Sequence, residues 1–155
     1  MLSAGGSGAG SLWIAIPLNG QQYFPMAQQP SKASLTEFNE ICAADANFLE
    51  IYDFQVEEIA YGDATVRLPY DSKHVRPGPT VSGPAMMAIG DYTVWVAVIG
   101  AYGVMAKMAV TTSLNINLLR AAGLNDLVCQ AKVLKAGKRL AVGEATIYAD
   151  GVEGP

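Results

Sequence analysis

The stretch VSGPAMMAIGDYTVWVAV, residues 81–98, constrains this chain more than any other. From Pro77 to Ala106 the only carboxylate or basic side chain is Asp91, set among Met86, Met87, Ile89, Val94, Trp95, Val96 and Val98. Ser82 can cap a helix here. Pro84 is tolerated in a first turn, where amide hydrogens lack intrahelical partners. A helix apolar on every side either crosses a membrane or forms the centre of a core. Asp91 near the middle would cost about 2.5–3.5 kcal/mol on an insertion scale. Gly83, Pro84, Gly90, Gly100 and Gly103 interrupt the run, and no Lys or Arg cluster flanks it. The segment therefore reads as a core helix running to about Gly100, with no membrane as partner.

The flanking sequence supplies a sheet to cover that helix. Ser34 and Glu37 form the capping-box pattern S-L-T-E, and Leu35, Phe38, Ile41, Cys42 and Leu49 follow at roughly helical spacing, which predicts a helix near 34–48. FQVEEIA (54–60) and ATVRLP (64–69) read as a hairpin around Tyr61-Gly62-Asp63, and DSKHVRPGPT (71–80) reads as a loop. From 106 the period becomes two. Met108, Val110, Thr112, Leu114, Ile116 and Leu118 alternate with Lys107, Thr111, Ser113, Asn115 and Asn117, which predicts a long strand. Segments 127–135 and 139–149 read as two more strands about a turn at Gly137-Lys138. Ala141, Gly143 and Ala145 share one face and would let a helix approach closely. The expected class is α+β, an antiparallel sheet wrapped around a long central helix. Residues 1–33, opened by the Gly/Ser/Ala run of 1–11, read as a mobile or accessory N-terminal extension. The domain spans 34–155.

Composition narrows the function. The chain of 155 residues is 51% hydrophobic and 15% charged, poor in charge for a globular protein, which points to self-association. Its formal net charge is −4 and no basic run occurs, so nucleic acid is not an expected partner. Cys42 and Cys129 stand far apart without a CxxC, so neither a disulfide framework nor a metal site is expected. They read as small buried residues in a reducing compartment. No base precedes Lys32, and no secretory leader is read, so the expected location is cytoplasmic. The glycines at 5–10 do not spell GxGxxG and GKR (137–139) is not a phosphate-loop lysine motif, so no nucleotide site is expected.

An ionised carboxylate in an apolar core costs several kcal/mol unless it is paired. Asp91 can bond backbone or hydroxyl groups structurally, can fall on the surface by chance, or can face a ligand cleft. Burial in a cleft would raise its pKa and make it a better base. Gly83 sits at the helix start, where amide hydrogens and the dipole can polarise a carbonyl oxygen. Eight residues separate it from Asp91, roughly 12 Å along a helix. The two groups cannot act on one carbonyl from one helix. They converge when two copies pair antiparallel, which places an active site at a dimer interface.

Ser82 to Asp91, S-G-P-A-M-M-A-I-G-D, resembles the H-G-G-x6-D segment of hotdog-fold acyl-CoA thioesterases of the phenylacetate-pathway type. The resemblance covers about residues 34–150, including RPGPTVSGP, TTSLNINLLRAA and GKRLAVGEATIYADG. It implies a hotdog fold, a homodimer or dimer of dimers with sites between protomers, and an acyl-CoA thioester substrate. Coenzyme A would enter as part of that substrate, with no other cofactor. Asp91 would be the general base or nucleophile, and the Gly83 amide would hold the thioester oxygen. Ser82 stands where the family often has His, and would orient water or cap the helix. Pro84 stands where the family has Gly, and has no amide hydrogen to add as a second oxyanion donor. Such folds carry one more strand after the last hairpin. No such strand is read after Asp150 here; either the sequence is truncated, or another segment fills the slot, for which LWIAIPL (12–18) has the length and apolarity.

With that substrate, Arg76, Arg120, Lys138 and Arg139 are candidates for phosphate contacts. Asn115 and Asn117 would order the site or the dimer seam, and Thr93 and Trp95 would line the acyl pocket or pack in the core. His74, the only histidine, reads as a solvated loop residue. The competing functions are non-catalytic acyl-CoA binding or a structural oligomer and, ranked lower for want of a site histidine, a hydratase or dehydratase on the same fold.

Overall fold

The computed structural model describes residues 10–12, 29–45 and 51–155. Its axis is a twenty-residue helix, Gly83–Tyr102. The other elements are β1 (Gly10–Leu12), α1 (Leu35–Asp45), β2 (Gln55–Ala60), β3 (Asp63–Leu68), β4 (Val75–Arg76), β5 (Thr80–Val81), the central helix α2, β6 (Leu127–Ala136) and β7 (Ala141–Ala149). Among the described residues five strands form one antiparallel sheet in the order β1-β7-β6-β3-β2, while β4 and β5 pair apart from it.

The sheet wraps α2 because its strands alternate. Ala64, Val66 and Leu68 of β3 and Leu127, Cys129, Ala131 and Val133 of β6 are buried on the helix side. They meet Ile89, Val96, Ala97 and Ile99, none of which is exposed to solvent. Each Val, Leu or Ile side chain among them contributes about 1.5–3 kcal/mol when removed from water. By length and composition α2 could cross a bilayer, but 72% of its apolar 18-residue window lies buried inside the protein, so it is the core helix.

Two glycines set the helix–sheet distance. A Cβ on Gly100 would lie 2.0 Å from the Ala60 carbonyl oxygen, and one on Gly143 would lie 2.9 Å from Val94 Cγ1. The close approach expected of the small residues on β7 is thus met at Gly143. The β2–β3 turn closes through Gly62, whose φ of 75° is costly for a residue with a Cβ. At α1 the capping box forms as expected. Glu37 accepts the Ser34 N–H and hydroxyl, both at 2.8 Å, and Ser34 Oγ accepts the Glu37 N–H at 3.2 Å.

The long strand expected over 106–118 is not present. Val104–Met108 forms a short 3-10 turn, and residues 109–119 run on without a ladder partner among the described residues. Alternation predicts which way side chains would point in a strand, but a strand also needs a neighbour's backbone. Here Met105, Met108, Val110, Leu118 and Leu119 are left exposed.

At the other end of the chain, Gly10–Leu12 pairs with the outer edge of β7, Leu12 opposite Gly143. The rest of LWIAIPL, residues 13–18, lies outside the described residues, as does most of the 1–33 extension. Residues 29–33 are described. Ala33 is 2% exposed within the core, and the Lys32 N–H donates to the Gly100 carbonyl at 2.9 Å.

Candidate active site

The start of α2 is held from three sides. The Val81 N–H donates to the Gly123 carbonyl at 2.9 Å, the Ser82 N–H to the His74 carbonyl at 2.8 Å, and the Gly123 N–H to Thr80 Oγ1 at 3.1 Å. Ser82 occupies the N-cap position with extended backbone, but its side chain makes no capping hydrogen bond. Among the described residues nothing accepts from the Gly83 N–H. That donor stands at the positive end of a twenty-residue helix, where an anion or polarised oxygen is favoured. Leu118 packs against Gly83, its Cδ1 3.2 Å from where a Gly83 Cβ would be.

Asp91 is partly exposed rather than enclosed in the core. It accepts a hydrogen bond of 2.6 Å from the Thr111 hydroxyl. Thr111 is the residue the sequence analysis missed as part of the site. Its only signal was a place on the polar side of the alternation with Asn115 and Asn117. Residues 109–119 therefore link the two candidate groups: Thr111 meets Asp91, and Leu118 lies against Gly83.

Between this segment, α2 and β7 lies a small groove of about 80 Å³, open to solvent. Asn115, Asn117 and Arg120 line it. The Arg120 guanidinium donates to the carbonyls of Glu153 and Gly154, which fixes it at the groove's rim.

The remaining candidates are dispersed. Arg76 is exposed on β4, in the loop that leads into α2. Thr93 is fully enclosed and donates to the Ile89 carbonyl at 2.6 Å, so it packs in the core. Trp95 packs edge-on against Phe38, with ring centroids 5.6 Å apart. Lys138 and Arg139 lie at the β6–β7 turn, where the Gly137 carbonyl accepts the Tyr102 hydroxyl at 2.6 Å. That places them at the far end of α2, roughly 28 Å from Gly83.

His74 corrects the expectation of a solvated loop residue, being only 5% exposed. Its ring stacks on Tyr52 at 5.4 Å, and Nε2 lies 3.2 Å from the Ile51 carbonyl. The Ile51 carbonyl serves one ring nitrogen, while Nδ1 is buried with no hydrogen-bond partner among the described residues.

The family model of the thioesterase superfamily matches residues 78–154. A solved structure named as a thioesterase, from Silicibacter sp. TM1040, is 31% identical with a TM-score of 0.73, over 87% of this chain and 92% of that one. A Thermoplasma acidophilum protein named as an esterase is 28% identical over 68% of this chain and 77% of its own length. Thioesterase superfamily member 2 of zebrafish shares the fold, with 22% identity and a TM-score of 0.67 over 79% of this chain and 90% of that one. Together with the helix wrapped by its sheet, these matches make the chain a member of the thioesterase superfamily, a thioester hydrolase of the hotdog fold.

Proposed function

We propose that the chain hydrolyses acyl-CoA thioesters at sites formed between two copies. The observation that carries this is Asp91 itself, a lone carboxylate on an apolar helix, oriented by Thr111 and about 12 Å from a Gly83 amide that has no partner among the described residues. In this reading the Gly83 N–H of one copy polarises the thioester carbonyl. Asp91 of the other copy takes a proton from water as the water oxygen bonds to the carbonyl carbon. The C–S bond then breaks, and the thiolate leaves and is protonated. Thr111 orients the carboxylate, and Ser82, whose hydroxyl makes no capping bond, orients the water. Arg76, exposed beside the helix start, contacts the phosphates of coenzyme A, and the setting is cytoplasmic.

Self-association follows from the surface. The exposed Met105, Met108, Val110, Leu118 and Leu119 lie on a stretch whose backbone lacks a strand partner among the described residues. A second copy laid against it would satisfy both.

The test is hydrolysis of an acyl-CoA panel by wild type and Asp91→Asn. Loss of the general base is expected to lower kcat by roughly 10²–10⁴-fold with the fold retained. Unchanged turnover in a folded Asp91→Asn protein overturns the assignment. Pro84 favours one competing reading, acyl-CoA binding without turnover, because it removes a second oxyanion donor. Binding across the panel with no hydrolysis would select that reading. A hydratase role loses its acid–base candidate, since the His74 ring is enclosed against Tyr52.

A further inference from the structure

Among the described residues the buried polar side chains are Thr80, Thr93 and His74. Both threonine hydroxyls have partners, whereas His74 Nδ1 has none. A carbonyl can only accept, so the 3.2 Å contact with Ile51 puts the ring proton on Nε2 and leaves Nδ1 a bare acceptor away from water. That desolvation is costly and no bond offsets it. A phenylalanine would fill the same space without the penalty. Packing therefore does not explain the histidine, but the bond from Nε2 does.

That bond fixes a part of the chain on which the reaction depends. The His74 ring lies on Tyr52 at 5.4 Å, Tyr52 on Phe54 at 5.1 Å, and Phe54 on Tyr92 of α2 at 4.6 Å. Stacking sets the plane of the imidazole, and the bond to Ile51 sets its rotation within that plane. With the ring held, the His74 main chain is held too. Its N–H donates to the Asp71 carbonyl at 3.0 Å, and its carbonyl accepts the Ser82 N–H at 2.8 Å. Ser82 directly precedes Gly83. We propose that His74 is a positioning residue: its ring, anchored on Ile51 and Tyr52, aims the Gly83 amide at the thioester oxygen through the bond from Ser82. It touches no substrate. This role rests on the thioesterase reading of Gly83 given above.

The experiment measures kcat, KM and urea unfolding for wild type and variants, on the acyl-CoA that wild type turns over fastest. His74→Phe keeps the stack and loses the Nε2 donor. It is expected to fold and to lose about ten- to a hundredfold in kcat, with KM changed by less than about twofold, since a misaimed group slows reaction without weakening binding. His74→Gln restores an N–H donor toward Ile51 and is expected to recover kcat to within about threefold of wild type. Lys73→Met breaks the adjoining 2.7 Å ion pair with Asp53, loosening the same turn without touching the ring. Its kcat is expected to change by less than about twofold, as for other exposed ion pairs. Tyr52→Leu removes the stacking surface and decides the matter if His74→Phe does not fold, with the same loss of kcat expected. Unchanged kcat in folded His74→Phe or Tyr52→Leu overturns the proposal. So does an equal loss in Lys73→Met, or a folded His74→Gln that recovers nothing.

If wild type hydrolyses no acyl-CoA, the reading of Gly83 fails, and the anchoring is tested alone by hydrogen exchange at the Ser82 amide. Exchange is expected to be at least about tenfold faster in His74→Phe than in wild type, with protection regained in His74→Gln. Equal exchange in the three proteins overturns the anchoring.

Discussion

At the scale of single residues, the two interior glycines of α2 make opposite demands. Gly100→Ala would drive a methyl into the Ala60 carbonyl, so the helix and β2 must separate. The expected loss is about 3 kcal/mol, read from urea unfolding. Gly90→Ala adds a methyl at ordinary contact distance and improves helix propensity. It is expected to gain about 1 kcal/mol in the same measurement. Cysteines divide in the same way. Burial pushes the Cys129 thiol up to about 12, while the half-buried Cys42 is raised less, its Sγ lying 3.8 Å from the Tyr92 hydroxyl. Iodoacetamide on the native protein at pH 8 should modify Cys42 slowly and leave Cys129 untouched. Asp91 was legible in the sequence because a charge in an apolar run has few reasons to exist. Thr111 was not, because its contact with Asp91 spans twenty positions and depends on the path taken after the helix ends. His74 was misread for a related reason: its aromatic neighbour comes from a segment twenty-two residues earlier, Tyr52.

At the scale of elements, local chemistry determined what could be read. The capping box before α1, the glycine in the β2–β3 turn and the apolar length of α2 each act within a few residues, and each forms as its sequence indicates. Ser34→Ala removes the hydroxyl that accepts the Glu37 N–H and should cost about 1 kcal/mol, seen as a lower Tm with unchanged activity. The segment 109–119 was misread because its alternation is a statement about side chains, whereas a strand is completed by another backbone. In a dimer the same alternation would serve. Val110→Lys is therefore expected to shift the protein toward monomer in sedimentation velocity, and to lose hydrolysis in proportion.

At the scale of the whole molecule, surface charge decides how the fold responds to acid. Arg67 gathers Glu57 at 2.5 Å, Asp150 at 2.7 Å and Asp126 at 3.2 Å, joining β2, β3, the approach to β6 and the end of β7. The Arg67 guanidinium holds the Asp150 carboxyl below its usual range, and the Lys73 backbone N–H does the same for Asp71. Carboxyls depressed in the folded state stabilise it fully above their unfolded values, near 4, and lose that contribution as pH falls through the folded ones. Tm should therefore be level from about pH 6 down to pH 5 and fall below about pH 4. Arg67→Met should flatten that acid limb.

Gly100 also has a consequence in time. Its Cα packs against Ala60, and its carbonyl receives the Lys32 N–H and, at 3.5 Å, the Ser31 hydroxyl. One position thus fastens three stretches that are remote along the chain, and closing such loops is slow and comes late in folding. Contacts made after the rate-limiting barrier govern how fast the native state comes apart. Loosening this knot should steepen the rate of opening in stopped-flow mixing while leaving the rate of closure nearly untouched.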